Sequence, residues 1–209
     1  MFRKNVPETT IKRLPVYLGV LEHFEKQGRE FVNSQDFEDL VDIKQAILRK
    51  DLSFFGELGI RGKGYEVKSL TFQIKKLIGI DSRTWKTVII GAGNIAQALM
   101  KYKSFEDINL DITAAFDSDP AKIGKRFGNV PVLDIGSLEQ VINEEGIKFV
   151  ILTSPGEVVG EILEVLKQTK IKGLINFTPE YLRVSKKVKV INVNITAKIL
   201  TMFFYLKNQ

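Results

Sequence analysis

The spacing of apolar residues changes near residue 80. Up to that point they recur every three or four positions, as in amphipathic helices, in the series Ile11, Leu14, Leu18, Leu21, Phe24 and again Leu70, Ile74, Leu77, Ile78. From Trp85 onward, short apolar runs typical of buried strands alternate with helical stretches, and these runs are Val88–Ile90, Ile112–Phe116, Phe149–Leu152, Leu174–Phe177 and Val188–Val193. This alternation predicts an α/β protein whose second part contains βαβ units.

The same change of pattern suggests where the domains divide. We expect a helical domain over residues 1–80, a parallel-sheet domain over residues 81–194, and a final helix over residues 195–209, with a linker near Gly79–Lys86. Within the first domain, residues 8–67 indicate a helix, a short helix, a third helix and a hairpin. Ser34 is a suitable N-cap for the short helix, because Asp36 and Glu38 follow in its first turn.

A compact turn with basic residues follows the third predicted helix. Its glycines and its basic or aromatic residues are Gly59, Gly62, Gly64, Arg61, Lys63 and Tyr65. Two short helices followed by such a turn predict a winged helix-turn-helix domain.

The third predicted helix, Ile43–Phe55, carries cationic and hydrogen-bonding residues on or beside one face. These residues are Lys44, Gln45, Arg49, Lys50 and Ser53. Such side chains on one exposed face can contact both the phosphates and the base edges of double-stranded DNA. A solvated basic face with no partner is the alternative, and the neighbouring basic turn favours DNA.

A glycine-rich segment follows the first predicted strand and opens a helix. Its residues are Gly91, Ala92, Gly93, Asn94, Ile95 and Ala96. A strand before and a helix after are the context that a dinucleotide-binding turn requires. Gly91 permits the tight turn, Gly93 has no Cβ to block a pyrophosphate, and Ala96 lets the helix lie close to the strand. The first N–H groups of the helix attract the anion. We therefore predict the nucleotide site of a Rossmann domain.

Asp117 supplies the acidic partner of that turn. It ends the next predicted strand, 26 residues after Gly91, where a carboxylate accepts hydrogen bonds from the adenosine ribose and repels a 2′-phosphate. NAD(H) is therefore the favoured ligand, although Lys122, Lys125 and Arg126 follow closely enough to leave NADP(H) open.

Composition excludes several kinds of chemistry. The chain has no cysteine, so disulfides, thiolate metal sites and cysteine nucleophiles are ruled out, and we expect no metal site. No apolar run reaches the roughly 18 residues of a membrane span, and no apolar segment follows the basic N-terminus as in a secretory signal. A cytoplasmic protein without a membrane partner is the expectation. The net charge of +6 is a weak indication of a polyanionic partner.

The final predicted helix, Ile195–Leu206, has almost no polar face, so it must be buried against something. It either packs on its own sheet or is donated to a second subunit as a swapped element.

Taken together, these segments resemble the Rex family of redox-sensing transcriptional repressors across nearly the whole chain. The matching segments are Ile11–Pro15, Arg49–Gly59, Arg61–Tyr65, the Gly91 turn, Phe116–Pro120, Gly128–Val132, Gly173–Pro179 and Asn192–Asn194. The resemblance implies a homodimer with a winged-helix domain, a Rossmann domain and a swapped C-terminal helix. It implies binding to palindromic operator DNA when NADH is low and release from it when NADH binds.

The resemblance also implies roles for single residues. Thr153, Ser154 and Pro155, together with Phe177, Thr178 and Pro179, would line the nicotinamide and pyrophosphate side, and Tyr102 would lie near the nicotinamide. Lys12 and Arg13 would join the DNA-contacting set. Three positions depart from the family pattern: Gly19 replaces a common arginine, Asn194 replaces a common aspartate, and Ile47 replaces a glutamine of the recognition helix.

An NAD-dependent oxidoreductase is the alternative function. Hydride transfer usually needs a positioned acid or base, but the only histidine, His23, falls in the predicted DNA-binding half. No segment remains after the Rossmann strands to form a substrate domain, so we expect a sensor rather than an enzyme.

Overall fold

The computed structural model describes residues 6–80 and 83–207. The chain forms two compact units, Met1–Arg83 and Thr84–Gln209. Each unit has its own hydrophobic core.

The first unit consists of four helices and a two-stranded antiparallel sheet. Its elements are α1 (Glu8–Lys26), β1 (Phe31–Val32), α2 (Ser34–Val41), α3 (Gln45–Ser53), β2 (Tyr65–Glu66) and α4 (Val67–Ile78). Four members of the apolar series predicted for α1 are buried, namely Leu14, Leu18, Leu21 and Phe24, whereas the first member, Ile11, is 53% exposed. The four buried residues pack in one cluster with residues of α2, α3 and α4.

The turn at residues 59–65, which we call the wing, precedes β2. Gly64 adopts a left-handed backbone with φ of 92°, and a Cβ there would lie 2.3 Å from the carbonyl oxygen of Val32. Only glycine fits this crossing. The sequence did not reveal β1, a strand of two residues that pairs with β2, since so short a strand leaves no alternation to detect.

The second unit is built on a seven-stranded sheet in the order β5-β6-β4-β3-β7-β8-β9. Its strands are β3 (Trp85–Ile90), β4 (Leu110–Asp117), β5 (Arg126–Phe127), β6 (Val130–Asp134), β7 (Phe149–Leu152), β8 (Gly173–Asn176) and β9 (Lys189–Asn192). All neighbouring pairs are parallel except β5 and β6. The helices are α5 (Asn94–Met100), α6 (Leu138–Glu144), α7 (Val159–Lys167) and α8 (Ile195–Lys207).

This strand order places a topological switch point at the end of β3. The chain continues from β3 to β4 on one side, and later strands build outward from β7 on the other side. A crevice therefore opens at the carboxyl end of β3, where open α/β sheets bind their ligands. The predicted fold class, a winged helix-turn-helix unit followed in the chain by a Rossmann unit, is confirmed. The five predicted strands all form, whereas the β5–β6 hairpin was not predicted.

The helix that follows α2 is shorter than the predicted Ile43–Phe55. Asp42 has a left-handed backbone with φ of 53°, and the extended Lys44 is the N-cap of α3. Residues 42–44 are thus used for the turn between α2 and α3.

None of the thirteen residues of α8 is buried. Its large apolar side chains are 48–66% exposed, and they are Ile195, Ile199, Leu200, Met202, Phe203, Phe204, Tyr205 and Leu206. This helix is therefore not covered by its own sheet.

Candidate functional site

The turn at residues 91–96, which we call the nucleotide turn, begins at a position that only glycine can occupy. Gly91 has φ of 94°, and a Cβ there would lie 2.8 Å from the backbone nitrogen of Ser154. Its own N–H donates to the carbonyl oxygen of Phe116 at 2.7 Å. The turn is thus fixed between the ends of β4 and β7.

The second glycine of the nucleotide turn has a different property. Gly93 is the N-cap of α5, and a Cβ built there meets nothing within 4 Å. The space above it is open to a ligand. Ala92 and Ala96 are fully buried beneath the turn, as expected where a helix lies close to a strand.

The Asp117 carboxylate binds the nucleotide turn directly. Its Oδ2 accepts a hydrogen bond from the Ala92 N–H at 2.7 Å and one from Lys122 Nζ at 3.0 Å, and its Oδ1 accepts one from the Asp119 N–H at 2.9 Å. Burial alone would raise the pKa of this carboxyl, but these donors outweigh burial and lower the pKa below its ordinary value. Asp117 is therefore ionised at neutral pH, and Lys122 partly neutralises it.

A cavity of about 270 Å³ opens beside these groups. Its lining includes Gly91, Phe116, Asp117, Ser154 and Pro155, together with apolar side chains that the sequence did not single out: Ile135, Leu138, Val158, Ile162 and Val165. Ile135 follows β6, Leu138 begins α6, and the other three lie just before or within α7. Nothing in the local sequence pattern distinguishes these residues from core residues. A mostly apolar cavity with a carboxylate at its edge is suited to a nucleoside, because the apolar residues can contact the base and the carboxylate can accept hydrogen bonds from the ribose.

The segments after β7 and β8 also reach this edge of the sheet. Thr153 Oγ1 donates to the carbonyl oxygen of Gly91 at 2.9 Å, and Ser154 is 7% exposed.

In the segment after β8, Thr178 is buried, whereas Phe177 is partly buried and Pro179 is exposed. Asn176, which the sequence did not single out, organises this loop: its Oδ1 accepts from the Thr178 N–H at 2.9 Å.

Tyr102 lies apart from the cavity lining. Its side chain follows α5, is 57% exposed, and contacts the Phe105 ring edge to face at 5.1 Å between centroids. Its role near a nicotinamide stays a prediction.

In the first unit, α3 and the wing face a common concavity of about 720 Å³. Arg49 of α3 lines it together with Arg61, Lys63 and Tyr65 of the wing. Lys63 Nζ also lies 5.5 Å from the centroid of the Phe31 ring. The structure thus brings one predicted basic residue of the helix, Arg49, and both basic residues of the wing to one surface, whereas Lys44 and Lys50 do not line it.

Two of the predicted DNA-contacting side chains are already bonded to α2. Arg49 Nη1 donates to Ser34 Oγ at 2.9 Å, and Gln45 Nε2 donates to Glu38 Oε2 at 2.9 Å and to Gln35 Oε1. These bonds fix both side chains in one arrangement. Gln45 must give up a donor bond before its amide can donate to a base.

The remaining predicted contacts fall into two groups. Lys44, Lys50 and Ser53 are exposed on or beside α3. On α1, Lys12 is exposed and pairs with Glu8 at 3.1 Å, whereas Arg13 forms an ion pair with the buried Asp51 at 2.6 Å. Two of the five guanidinium N–H groups of Arg13 are therefore used within the protein.

Among the described residues, no three His, Cys, Asp or Glu side chains form a group that could hold a metal ion. No helix within residues 6–80 and 83–207 is long and apolar enough to cross a membrane.

Two family models match the chain. Residues 5–53 match the model described as "Putative DNA-binding protein N-terminus", and residues 82–180 match the model described as "CoA binding domain". The two matches fall on the helical unit and on the parallel-sheet unit respectively.

Full-length relatives carry the name "Redox-sensing transcriptional repressor Rex". The protein from Listeria welshimeri is 34% identical over 97% of this chain and 94% of its own length, and that from Carboxydothermus hydrogenoformans is 37% identical over 97% of both chains. Rex 1 of Thermotoga maritima is 36% identical over 98% of this chain and 99% of its own length.

Solved structures of one Rex-family repressor, RSP, have the same fold. The structure of RSP with β-NAD⁺ and operator DNA is 31% identical, covers 99% of this chain and 94% of its own, and gives a TM-score of 0.90. The structure with β-NADH gives a TM-score of 0.89 at 30% identity, over 99% of this chain and 96% of its own. The chain belongs to the Rex family of redox-sensing transcriptional repressors.

Proposed function

We propose that this protein is a transcriptional repressor that binds palindromic operator DNA as a homodimer and releases it when NADH binds. The observation that carries the proposal is the likeness, over 99% of the chain, to a repressor solved with β-NAD⁺ and operator DNA and also with β-NADH. The geometry supports it, because one unit holds an open nucleotide turn and the other a basic helix and wing.

We assign the NAD(H) site to the crevice at the carboxyl end of β3. The pyrophosphate lies over Gly93, where a Cβ would meet nothing, and the adenosine enters the 270 Å³ cavity with its ribose hydroxyls at Asp117. The nicotinamide extends toward the segments 153–155 and 177–179. When bound, NADH supplies the redox signal, and the protein's own residues bind and orient it.

We assign the DNA-contacting surface to the concavity shared by α3 and the wing. Arg49, Lys50, Arg61 and Lys63 supply cations for phosphates, and Gln45 and Ser53 supply hydrogen-bonding groups for base edges. Tyr65 also lines the concavity. In this proposal Lys12 and Lys44 extend the DNA-contacting surface beyond it, and Arg13 contributes through its remaining N–H groups.

We propose that α8 is exchanged between two subunits of the homodimer. Eight large apolar side chains on α8 are 48–66% exposed, and an apolar helix in water requires a cover. The domain division at residues 80 and 194 belongs to this proposal, with α8 as the exchanged element. A repressor of this kind works in the cytoplasm, where its operator is.

The redox response follows from coupling between two sites. NAD⁺ and NADH share their phosphate and ribose contacts, so only the nicotinamide end distinguishes them. If NADH favours a dimer that fits the operator poorly, it weakens DNA binding, and DNA weakens NADH binding by the same factor. Typical couplings of about 1–3 kcal/mol correspond to roughly 5–150-fold. We propose no catalytic step, since His23 is an exposed side chain on α1.

The test combines a gel shift with a turnover assay on the full-length protein. A palindromic duplex selected from a random pool is retarded with NAD⁺ present and released by NADH, while NADH absorbance stays constant. We expect NADH to release the duplex from the protein without being oxidised. Sustained NADH oxidation with added small carbonyl compounds would instead favour the oxidoreductase alternative.

Replacing Asp117 by asparagine should reduce the preference for NADH over NADPH. The substitution removes the charge that repels a 2′-phosphate. It also releases Lys122 from its bond at 3.0 Å, so that only the longer ion pair with Asp119, at 3.7 Å, competes with that phosphate for the ammonium group. We expect the ratio of NADPH to NADH affinity to rise about tenfold or more, or about 1.4 kcal/mol. Fluorescence titration of the two dinucleotides measures it. Lys125→Met is the matched control, and an unchanged ratio in D117N would contradict the role given to Asp117.

Replacing Arg49 by alanine should weaken binding to every duplex by a similar factor. If Arg49 of each subunit neutralises one phosphate, the dimer loses two such contacts, and the slope of log affinity against log salt should fall by about two. Filter binding at several salt concentrations gives the slope. Lys75→Ala, a cation on α4 that pairs with Glu22, serves as the control and should leave the slope unchanged. If the salt slope of R49A equals that of the wild type, the assignment of Arg49 to the DNA-contacting surface is contradicted.

A further inference from the structure

One buried carboxylate joins α3, the recognition helix, to α1. Asp51 is 2% exposed, and its two oxygens accept four hydrogen bonds. Oδ1 accepts from Thr10 Oγ1 at 2.7 Å and from Arg13 Nη2 at 2.9 Å, whereas Oδ2 accepts from Arg13 Nε and from the Tyr17 hydroxyl, both at 2.6 Å. All three donor residues lie on α1, so the whole attachment runs between these two helices.

The spacing on both helices suits such an attachment. Thr10, Arg13 and Tyr17 are three and four residues apart and therefore share one face of α1. On α3, Asp51 is two residues from Arg49, which at about 100° per residue places the two on opposite sides of the helix. Asp51 is thus fixed from behind while Arg49 faces the concavity shared with the wing.

Stability alone does not account for a charged group at this position. Leu48 and Leu52, 0% and 2% exposed, already attach α3 to the core. A buried ion pair often adds little net stability compared with an apolar pair of the same volume. Hydrogen bonds are directional, however, whereas apolar contacts let a helix rotate or slide. Four bonds to one carboxylate therefore fix the rotation and the axial position of α3.

The electrostatics agree with that arrangement. Burial would raise the pKa of the Asp51 carboxyl, but the donors from Arg13, Tyr17 and Thr10 outweigh burial and lower its pKa. Burial and the bond to Asp51 raise the pKa of Tyr17, so its hydroxyl remains a donor. The carboxylate is therefore ionised at neutral pH.

We propose that Asp51 is the positioning residue of sequence-specific DNA binding, and that it acts by holding the recognition helix in the one orientation that reads base edges. The proposal rests on the proposed function, because it assigns a role within the same DNA-binding surface. Asp51 itself does not contact DNA and acts through the residues on the opposite side of α3.

The proposal separates two quantities that a general loss of folding would change together. Operator affinity falls in proportion to the fraction of molecules in the competent orientation. Non-specific affinity depends on how many phosphates are neutralised, and it tolerates small changes in orientation. Loosening Asp51 should therefore lower operator affinity and leave non-specific affinity and the salt slope unchanged.

The experiment uses the full-length protein and two duplexes. The wild type selects its preferred sequence from a pool of random duplexes, and a scrambled duplex of the same composition reports non-specific binding. The variants are Asp51→Asn, Tyr17→Phe and Thr10→Val, each measured at a temperature where circular dichroism shows it folded. Ile74→Val is the control, because it trims a buried side chain of the same core that makes no hydrogen bond to α3.

We expect operator affinity to fall about tenfold in D51N and about threefold in Y17F and T10V, with affinity for the scrambled duplex within about twofold of the wild type. If D51N does not fold, the comparison of operator and scrambled-duplex affinity is made with Y17F and T10V. Equal losses for both duplexes, wild-type operator affinity in the folded variants, or an equal loss in I74V would each overturn the positioning role. A wild type that enriches no sequence would overturn the proposed function itself, which distinguishes the two failures.

Discussion

Replacing Gly93 by glutamate should abolish NADH binding and leave DNA binding intact. A Cβ at Gly93 meets nothing within 4 Å, so the new side chain is accommodated without strain. Its carboxylate enters the space assigned to the pyrophosphate. Two like charges about 4 Å apart repel by about 4 kcal/mol at an effective dielectric constant near 20, which corresponds to roughly a thousandfold loss of affinity. Titration of NADH fluorescence measures the loss.

The matched control for this variant is Gly93→Ala. Its single methyl group carries no charge and lies in the same open space, so NADH affinity should fall far less than in G93E. The G93E protein should still shift the operator duplex, and NADH should no longer release it. Loss of operator binding in G93E without nucleotide would contradict the assignment of the two functions to separate units.

Replacing Phe203 by glutamate should turn the dimer into a monomer and strongly weaken operator binding. Phe203 is 58% exposed on α8 and shares a helical stripe with Ile195, Ile199, Met202 and Leu206. A carboxylate in that stripe would be buried without a partner in the exchanged dimer, at a high cost. Loss of the second recognition helix then removes an avidity gain of about 10²–10⁴.

Sedimentation and filter binding measure these two effects. Lys198→Glu is the control, because it changes the charge on the same helix at a polar position and should leave the dimer intact. A dimeric F203E protein with wild-type operator affinity would contradict the exchange of α8.

The nucleotide turn could be predicted because its chemistry is local. Gly91 adopts a left-handed backbone at the end of β3, Gly93 is the N-cap of α5, and Ala96 is buried where α5 packs on β3, so their spacing within one strand-turn-helix segment carries the information. Asp117 follows from the same logic, since the end of the second Rossmann strand always meets this turn. The observed bond from the Ala92 N–H to Asp117 at 2.7 Å reflects that geometry.

Groups that depend on packing between distant segments could not be predicted. Asp51 and Arg13 are 38 residues apart in the chain, and in the sequence Arg13 is simply another basic residue beside Lys12. The apolar lining of the 270 Å³ cavity consists of the same residue types as the hydrophobic core. Likewise, the bonds from Gln45 and Arg49 to α2 arise only once α2 and α3 are packed together.

The apolar pattern of the final helix predicts that the helix is covered, but it does not identify the surface that covers it. The absence of a polar face on Ile195–Leu206 predicted a cover, and the structure leaves these side chains exposed in the single chain. Pattern alone could not identify the cover, because burial on the same sheet and burial on a second subunit require the same residues.

The resemblance to the family implies that two departures from its pattern, at Gly19 and Asn194, would weaken the redox response. Gly19 is exposed on α1, and a Cβ there meets nothing within 4 Å. Asn194 Oδ1 accepts a hydrogen bond from the Ala197 N–H at 2.9 Å, so Asn194 acts as a cap for α8. Gly19→Arg combined with Asn194→Asp would show whether a charge pair strengthens the response.

The most direct test of the account is the operator affinity of the full-length protein across a series of NADH/NAD⁺ ratios at constant total dinucleotide. The account predicts that the affinity falls as the ratio rises, by roughly 5–150-fold between the two limits, and that G93E shows no change. An operator affinity that stays constant across the series, in a wild-type protein that binds both NADH and the operator, would contradict the coupling on which the proposed function rests.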